Sequence, residues 1–146
     1  MKTLFKQALV VLVLITLFNC DNDDGNAPNE NVCNYQGLTA EINSTQTLIP
    51  ESDLQTDYFP NNDGLGMPAV EVWSTASPGD TFIVTRAVTD GAVDANPEIR
   101  IGTVDYTGTV TCQRGNSAVG DEMRFDIVLS NGSEAELCVI IDTVTP

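Results

Sequence analysis

The sequence predicts an all-β domain: a single antiparallel β-sandwich, immunoglobulin-like or similar, with about 7–8 strands, or alternatively a small β-barrel. Short runs of β-branched and aromatic residues alternate with clusters of Gly, Pro, Asn and Asp at intervals of roughly eight to twelve residues. Beyond the N-terminal segment, apolar residues do not follow a helical period. Near the C-terminus they alternate with polar residues, as in strands that bury one face.

Turn-forming residues separate the segments that have the composition of strands. Two weaker candidates come first, at 37–42 and 45–49. Stronger candidates follow at 69–74, 81–88, 99–106, 108–113, 122–130 and 134–143. Residues 57–64 are polar and contain Pro60 and Gly64, so we predict a loop there.

The last two predicted strands form a hairpin whose register follows from their apolar residues. A two-residue turn at Asn131-Gly132 would place glutamates opposite apolar side chains. A three-residue loop at 130–132, with a left-handed glycine, instead pairs Ile127 with Ala135 and Phe125 with Leu137. We predict this loop because it keeps the apolar side chains on one face.

The chain is strongly acidic, which excludes one large class of partners. Its 146 residues carry 21 acidic and 6 basic side chains, for a formal charge of −15, and no lysine follows Lys6. Phosphates and anionic lipid headgroups are repelled by such a surface, and no basic stripe offsets the repulsion. We therefore expect no binding to nucleic acid.

Missing residue types restrict the catalytic chemistry. Without histidine the chain cannot build a Ser-His-Asp or Cys-His site, or a histidine-ligated zinc or copper centre. Without lysine beyond the N-terminus it lacks Schiff-base and Ser-Lys mechanisms. We predict that the protein is not an enzyme, and a carboxylate pair of the glycosidase type is the remaining catalytic alternative.

The N-terminus has the composition of a secretory signal. Lys2 and Lys6 precede an uninterrupted apolar run at 8–18, which is followed by a polar segment. The run is shorter than the roughly 20 residues that a membrane-spanning helix needs. We therefore assign 1–19 to a signal peptide and exclude it from the fold.

The residues around the predicted cleavage site carry a family resemblance. Leu17-Phe18-Asn19-Cys20 resembles the lipobox of bacterial lipoproteins, and Asp21-Asn22-Asp23-Asp24 resembles the acidic export signal of Bacteroidota-type surface-exposed lipoproteins. The resemblance implies that Cys20 carries a thioether-linked diacylglycerol and that the protein is an outer-membrane lipoprotein exposed at the cell surface. The alternative for 21–24 is a plain solvated linker.

The residues after Cys20 divide into a tether and a domain. Residues 21–31 contain no large apolar side chain, so 20–31 is predicted to be a flexible acidic tether. The β-sandwich domain then covers 32–146, a length sufficient for a core without a structural metal.

The remaining cysteines predict one disulfide. If Cys20 carries lipid, then Cys33, Cys112 and Cys138 remain, so one thiol is left over. A strand separates Cys112 from Cys138 in a meander, and the resulting distance of roughly 10 Å exceeds disulfide reach. Cys33 is therefore the shared partner, and we favour Cys33–Cys138 over Cys33–Cys112. Closing this loop of roughly 100 residues contributes about 4 kcal/mol; three unpaired buried cysteines are the alternative.

We expect no cofactor, and two groups of oxygen-bearing side chains are the candidate ligands for the alternative, a bound calcium ion. Asp57, Asn61 and Asp63 lie in the predicted loop 57–64. Asp90, Asp94 and Glu98 lie in one predicted inter-strand loop. The favoured interpretation of both is a solvated loop with Asx turns.

Aromatic residues supply candidate contacts for a ligand. Tyr58 and Phe59 lie in the predicted loop, where they are placed to contact a sugar or a protein. Trp73 lies in a predicted strand and is expected in the core.

These features predict a lipid-anchored envelope protein that binds rather than catalyses. The favoured hypothesis is an accessory module that contacts an envelope protein. A small carbohydrate-binding module, assisted by calcium, is the alternative, and a carboxylate-dependent glycosidase is the less favoured one. The expected partners are the outer membrane, through the lipid, and an envelope protein or glycan.

Overall fold

Two open six-stranded β-sheets make up the computed structural model of the protein, which describes residues 33–62 and 67–146. The strands are β1 (Gly37–Ile42), β2 (Thr45–Pro50), β3 (Leu54–Asn62), β4 (Met67–Ser74), β5 (Phe82–Thr85), β6 (Val93–Asp94), β7 (Glu98–Ile101), β8 (Val104–Tyr106), β9 (Gly108–Arg114), β10 (Glu122–Leu129), β11 (Glu134–Ile140) and β12 (Thr143–Val144), with a 3₁₀ turn at Glu51–Asp53. The first sheet has the order β2-β1-β11-β10-β9-β6, and the second has β12-β3-β4-β5-β7-β8. This arrangement confirms the predicted all-β sandwich.

The strand pairing is antiparallel in both sheets except at one edge, where β12 runs parallel to β3. The described residues form more strands than the seven or eight predicted. A turn at Gly102 and Thr103, which have φ values of 58° and 70°, divides the predicted strand 99–106 into β7 and β8. The predicted strand 134–143 ends as β11, and the chain then crosses to the second sheet as β12. Strands β3 and β6 form where none is predicted.

The predicted hairpin register is confirmed. Strands β10 and β11 pair Ile127 with Ala135 and Phe125 with Leu137. Gly132 has a φ of 81°, and its N–H donates to the carbonyl of Leu129, which closes the loop. The left-handed conformation favours glycine because a Cβ atom would be strained there.

The core lies between the two sheets and is formed by inward side chains from both. Alternation along each strand places these residues on one face and polar residues on the other. The largest fully buried side chains are Phe125, Leu38, Ile83, Met123, Ile127, Leu129, Leu137 and Ile141.

Trp73 is not part of this core, and its predicted burial is wrong. In β4, Val70, Val72 and Ser74 are buried, whereas Glu71 and Trp73 are half-buried. Because successive side chains of a strand point to opposite faces, position 73 falls on the outer face of the second sheet.

The loop predicted at 57–64 is wrong for 57–62, which belong to β3. Asp57, Tyr58, Phe59 and Asn61 lie on this strand, which pairs with β4 up to a register shift after Phe59. Pro60 falls in the irregular part of the ladder, where the missing N–H is tolerated. The strand is polar because one of its faces points away from the core.

Several predictions concern residues outside the described ranges. These are the signal peptide 1–19, the lipidated Cys20, the tether 20–31 and Asp63. Within the described ranges, no helix is long and apolar enough to cross a membrane.

Candidate functional site

The outer face of the second sheet carries a line of side chains from five neighbouring strands, which we call the aromatic row. Strands β3, β4, β5, β7 and β8 contribute, in this order, Gln55, Trp73, Phe82, Arg100 and Asp105. Side chains directly opposite each other in neighbouring strands have Cβ atoms about 5 Å apart. Trp73 and Phe82 are therefore adjacent, with polar side chains on both sides of the pair.

Both aromatic side chains are half-buried and lie outside the hydrophobic core. Their immediate neighbours in sequence, such as Val72 and Ile83, point inward and are buried. The two side chains therefore form a partly exposed apolar pair on the outer face of the sheet. A pair of adjacent, partly exposed aromatic side chains is a candidate contact site.

A second line of side chains, the acidic row, runs beside the aromatic row. From β12 to β7 it consists of Thr143, Asp57, Glu71, Val84 and Glu98. The two rows are about 7 Å apart, since each is offset by two residues along the strands. The acidic row thus places three carboxylates next to the aromatic pair.

Glu71 is a carboxyl group of the acidic row whose pKa is raised by its surroundings. Burial raises its pKa above the ordinary value, and the negative charges of Asp57 and Glu98 raise it further. The raised pKa of Glu71 therefore has two causes: this face is partly shielded from water, and it carries other negative charges.

Hydrogen bonds fix the polar groups that flank the aromatic pair. The Gln55 side-chain amide donates to Asp57 at 3.1 Å. The Arg100 guanidinium donates to both carboxylate oxygens of Asp105, at 2.6 and 3.1 Å, and to the carbonyl of Gly79 at 3.3 Å. The hydrogen bond from Arg100 lowers the pKa of Asp105, although both groups are exposed to solvent. These contacts hold the side chains in place before any ligand arrives.

The two predicted ligand-contact residues lie on opposite faces of β3. Phe59 is half-buried on the outer face, two positions beyond Asp57. Tyr58 packs against the core and lines a shallow cavity of about 310 Å³ that also contacts Asp90 and Asn116. Only Phe59 therefore shares a face with the aromatic row.

The second calcium candidate is divided between the two sheets. Asp94 lies on β6 of the first sheet and Glu98 on β7 of the second. The Asp94 carboxylate accepts from the backbone N–H groups of Arg86 at 2.8 Å and Asn96 at 2.9 Å, the latter an Asx turn. The Asp90 carboxylate accepts from the N–H of Gly115 at 2.6 Å. The two aspartates therefore hold turns in place.

The first group of candidate calcium ligands, in 57–64, is not brought together either. Asp57 and Asn61 lie four positions apart on β3, and Asp63 is outside the described ranges. In the part of the chain that the structure describes, no three His, Cys, Asp or Glu side chains converge as metal ligands. Calcium binding stays a prediction.

The outer face of the first sheet contains an acidic hollow of about 390 Å³. Its carboxylates come from opposed residues, Glu41 with Glu134 and Asp126 with Glu136. The Arg124 guanidinium lies 3.6 Å from both Asp126 and Glu136 and offsets part of their charge. The hollow has the character of a solvated acidic surface.

The predicted disulfide between Cys33 and Cys138 is confirmed, with a Cα–Cα distance of 5.9 Å. In β11, Leu137 and Val139 belong to the core, so Cys138 between them lies on the outer face of the first sheet. The chain therefore enters the described residues at this face.

Cys112 is the free cysteine of the described residues, and it is buried in the core. It lies on β9, with β10 between it and β11, and it faces the core whereas Cys138 faces outward. Burial and the nearby charge of Asp90 raise the pKa of its thiol to about 11. A thiol of this kind is chemically inert in the folded protein.

We expect Cys112 to resist alkylation in the folded chain at pH 8 and to react promptly in guanidinium chloride. A pKa of about 11 in place of 9.0 lowers the thiolate fraction about 100-fold, and burial also blocks access. Timed iodoacetamide labelling, read by mass spectrometry on the peptide that contains Cys112, measures both rates. Equal rates in the folded and unfolded chain would contradict the buried position.

Comparison with protein-family models, curated proteins and solved structures finds no match to this chain. Assignment of a function therefore depends on the N-terminal sequence and on the geometry of the described residues. Among these, the aromatic pair of Trp73 and Phe82 was missed by sequence reasoning. The available signal was the alternation in 69–74, where buried-type residues occupy 70 and 72 and leave position 73 on the other face.

Proposed function

We propose that this chain is a lipid-anchored accessory lipoprotein of the bacterial envelope, exposed at the cell surface, whose β-sandwich binds a partner without catalysis. The observation that carries the binding role is the apolar pair Trp73 and Phe82 on the outer face of a sheet, flanked by ordered polar groups. Burying such a pair against a partner removes apolar area from water, which is favourable.

The N-terminal sequence supports the lipid anchor. A basic start, a short apolar run and Cys20 after a lipobox-like segment form the order that lipoprotein processing requires. The acidic residues directly behind Cys20 support export to the surface. A diacylated cysteine supplies two acyl chains, which is enough for stable attachment to a membrane.

The position of the disulfide supports the aromatic row as the binding face. Cys33 is bonded to Cys138 on the outer face of the first sheet, and the aromatic row lies on the opposite side of the sandwich. The first described residue therefore does not lie on the face that carries the aromatic row, which favours that face as the binding surface.

We expect the substitution Cys20→Ala to release the protein from the envelope. The variant lacks the thiol to which diacylglycerol is attached, so it loses the acyl chains that hold it in the membrane. Expression of the full chain with a C-terminal tag in its own host, followed by membrane fractionation and mass spectrometry of the N-terminal peptide, measures the change. The unsubstituted chain should yield diacylated Cys20 and should co-purify with an envelope component in mild detergent.

Asn22→Ala is the matched control, because it alters the neighbouring segment and leaves Leu17 and Cys20 in place. It should retain the lipid and the membrane fraction. An unmodified wild-type chain cut at another position would defeat the lipid anchor. A wild-type protein that is soluble and associated with no envelope component would defeat the accessory role as well.

A further inference from the structure

We propose that the outer face of the second sheet binds an uncharged polysaccharide, whose sugar rings stack on Trp73 and Phe82 and whose hydroxyls donate hydrogen bonds to the acidic row. This inference rests on the proposed function as a non-catalytic binding module and names its ligand class.

The aromatic pair fits the apolar face of a pyranose ring. An aromatic ring presents a negative π-face, which attracts the slightly positive C–H groups of a sugar. Trp73 and Phe82 are opposite each other in neighbouring strands, so their combined surface is wider than one ring. A face built on a continuous sheet has no enclosing walls, which suits a chain that continues past the site in both directions.

The carboxylates beside the pair select for hydroxyl groups. When ionised, Asp57, Glu71 and Glu98 are hydrogen-bond acceptors only, and sugar hydroxyls are matching donors. A carboxylate that accepts from a neutral hydroxyl keeps a charge-assisted hydrogen bond when the ligand displaces water. The acidic row therefore complements a polyhydroxylated surface.

The carboxylates of the acidic row disfavour two other classes of ligand, anionic polysaccharides and proteins. Anionic polysaccharides are repelled by the acidic row and by the net charge of the whole chain. The centres of protein interfaces are depleted of Asp and Glu, because an unpaired buried carboxylate is costly. An uncharged glycan avoids both penalties.

Ordered polar groups on the aromatic row reduce the entropic cost of binding. Gln55 is held by its hydrogen bond to Asp57, and Arg100 is held by two hydrogen bonds to Asp105. Side chains fixed in advance lose little conformational freedom when a ligand arrives. Gln55 and Arg100 flank the aromatic pair on its two sides, so they give the sugar chain polar contacts beyond the stacked rings.

The test uses the full-length chain, purified in mild detergent, in native gels that contain a polysaccharide. The neutral probes are hydroxyethylcellulose, galactomannan, arabinoxylan and dextran, and the anionic probe is alginate. We expect at least one neutral polymer to slow migration and alginate to have no effect. The variant Trp73→Ala should raise the dissociation constant at least about tenfold, as loss of a stacked aromatic anchor does.

Two variants separate loss of the site from loss of the fold. Trp73→Tyr keeps an aromatic ring and should retain most of the binding. Val128→Ala truncates a half-exposed residue on the outer face of the first sheet and should leave binding unchanged. Matching thermal unfolding midpoints would show that each variant is folded.

Three binding results would overturn the proposal, and one activity result would replace it. The binding results are migration unaffected by every neutral polymer, equal affinity of Trp73→Ala and the wild type, and retardation by alginate alone. Release of reducing ends that Glu71→Gln abolishes would also replace binding with hydrolysis by a carboxylate pair. A lipidated chain that binds no glycan would leave the proposed function standing, whereas glycan binding by a chain without lipid would defeat the anchor alone.

Discussion

Replacing Cys33 and Cys138 together with alanine is expected to lower the free energy of unfolding by about 4 kcal/mol. The bond joins residues separated by 105 positions, so it restricts almost the entire described chain in the unfolded state. Without the bond, the unfolded ensemble gains conformations and becomes more favourable. Because domains of this size are stable by roughly 5–15 kcal/mol, the loss is a large share of the total.

Chemical denaturation by guanidinium chloride, followed by tryptophan fluorescence of Trp73, measures the change. The wild type in reducing agent is the matched control, since it lacks the bond and keeps both side chains. Its midpoint should approach that of the double variant, and the reducing agent should have little further effect on the variant itself. A wild-type midpoint that reduction leaves unchanged would contradict a stabilising role for the bond.

Local pattern was sufficient to predict the strands that bury one face and expose the other. The alternation through β10 and β11 fixes which side chains face the core, so the register of this hairpin follows from the apolar residues alone. The disulfide prediction rests on the cysteine count and on the order of the strands. Once β10 is placed between Cys112 and Cys138, Cys33 is the partner within reach.

Strand β3 was not predictable because its sequence is that of a loop. Of its inward residues, Leu54 and Tyr58 are apolar, but Thr56 between them is polar and nevertheless fully buried. The side chain of Asp142, which is distant in sequence, accepts a hydrogen bond from the N–H of Thr56 at 2.8 Å. The strand is therefore stabilised by pairing with β4 and by the C-terminal segment, and neither contact is visible in a local window.

The candidate site depends on tertiary neighbours in the same way. Trp73 and Phe82 come from two strands, and each looks like a core residue when it is considered singly. Their adjacency on the outer face follows from the pairing of β4 with β5, which places Val72 opposite Ile83 on the inner face. The candidate calcium residues show the converse: Asp94 and Glu98 are close in sequence, but the chain changes sheets between them.

Phe125→Ala is expected to destabilise the protein by about 3–5 kcal/mol. Phe125 is fully buried on β10, between Leu137 of β11 and Cys112 of β9. Removal of its ring forfeits the free energy of burying the side chain and leaves a cavity that the paired strands cannot fill by moving together. The strand spacing is set by backbone hydrogen bonds, so relaxation around the cavity is limited.

Val128→Ala is the matched control: it also shortens a side chain of β10, but at an exposed position. It therefore separates the loss of buried contacts from the change in strand propensity. Val128 is 49% exposed on the outer face, so its truncation should cost about 1 kcal/mol or less. Denaturant midpoints of the two variants, measured with the disulfide intact, give the comparison. A similar loss in both would mean that position 125 does not lie in a close-packed core, and the sandwich interior would then have to be assigned to another face of β10. A large loss of unfolding free energy confined to Phe125→Ala would show that Phe125 faces the core. Because side chains alternate along β10, Val128 would then lie on the outer face of the first sheet.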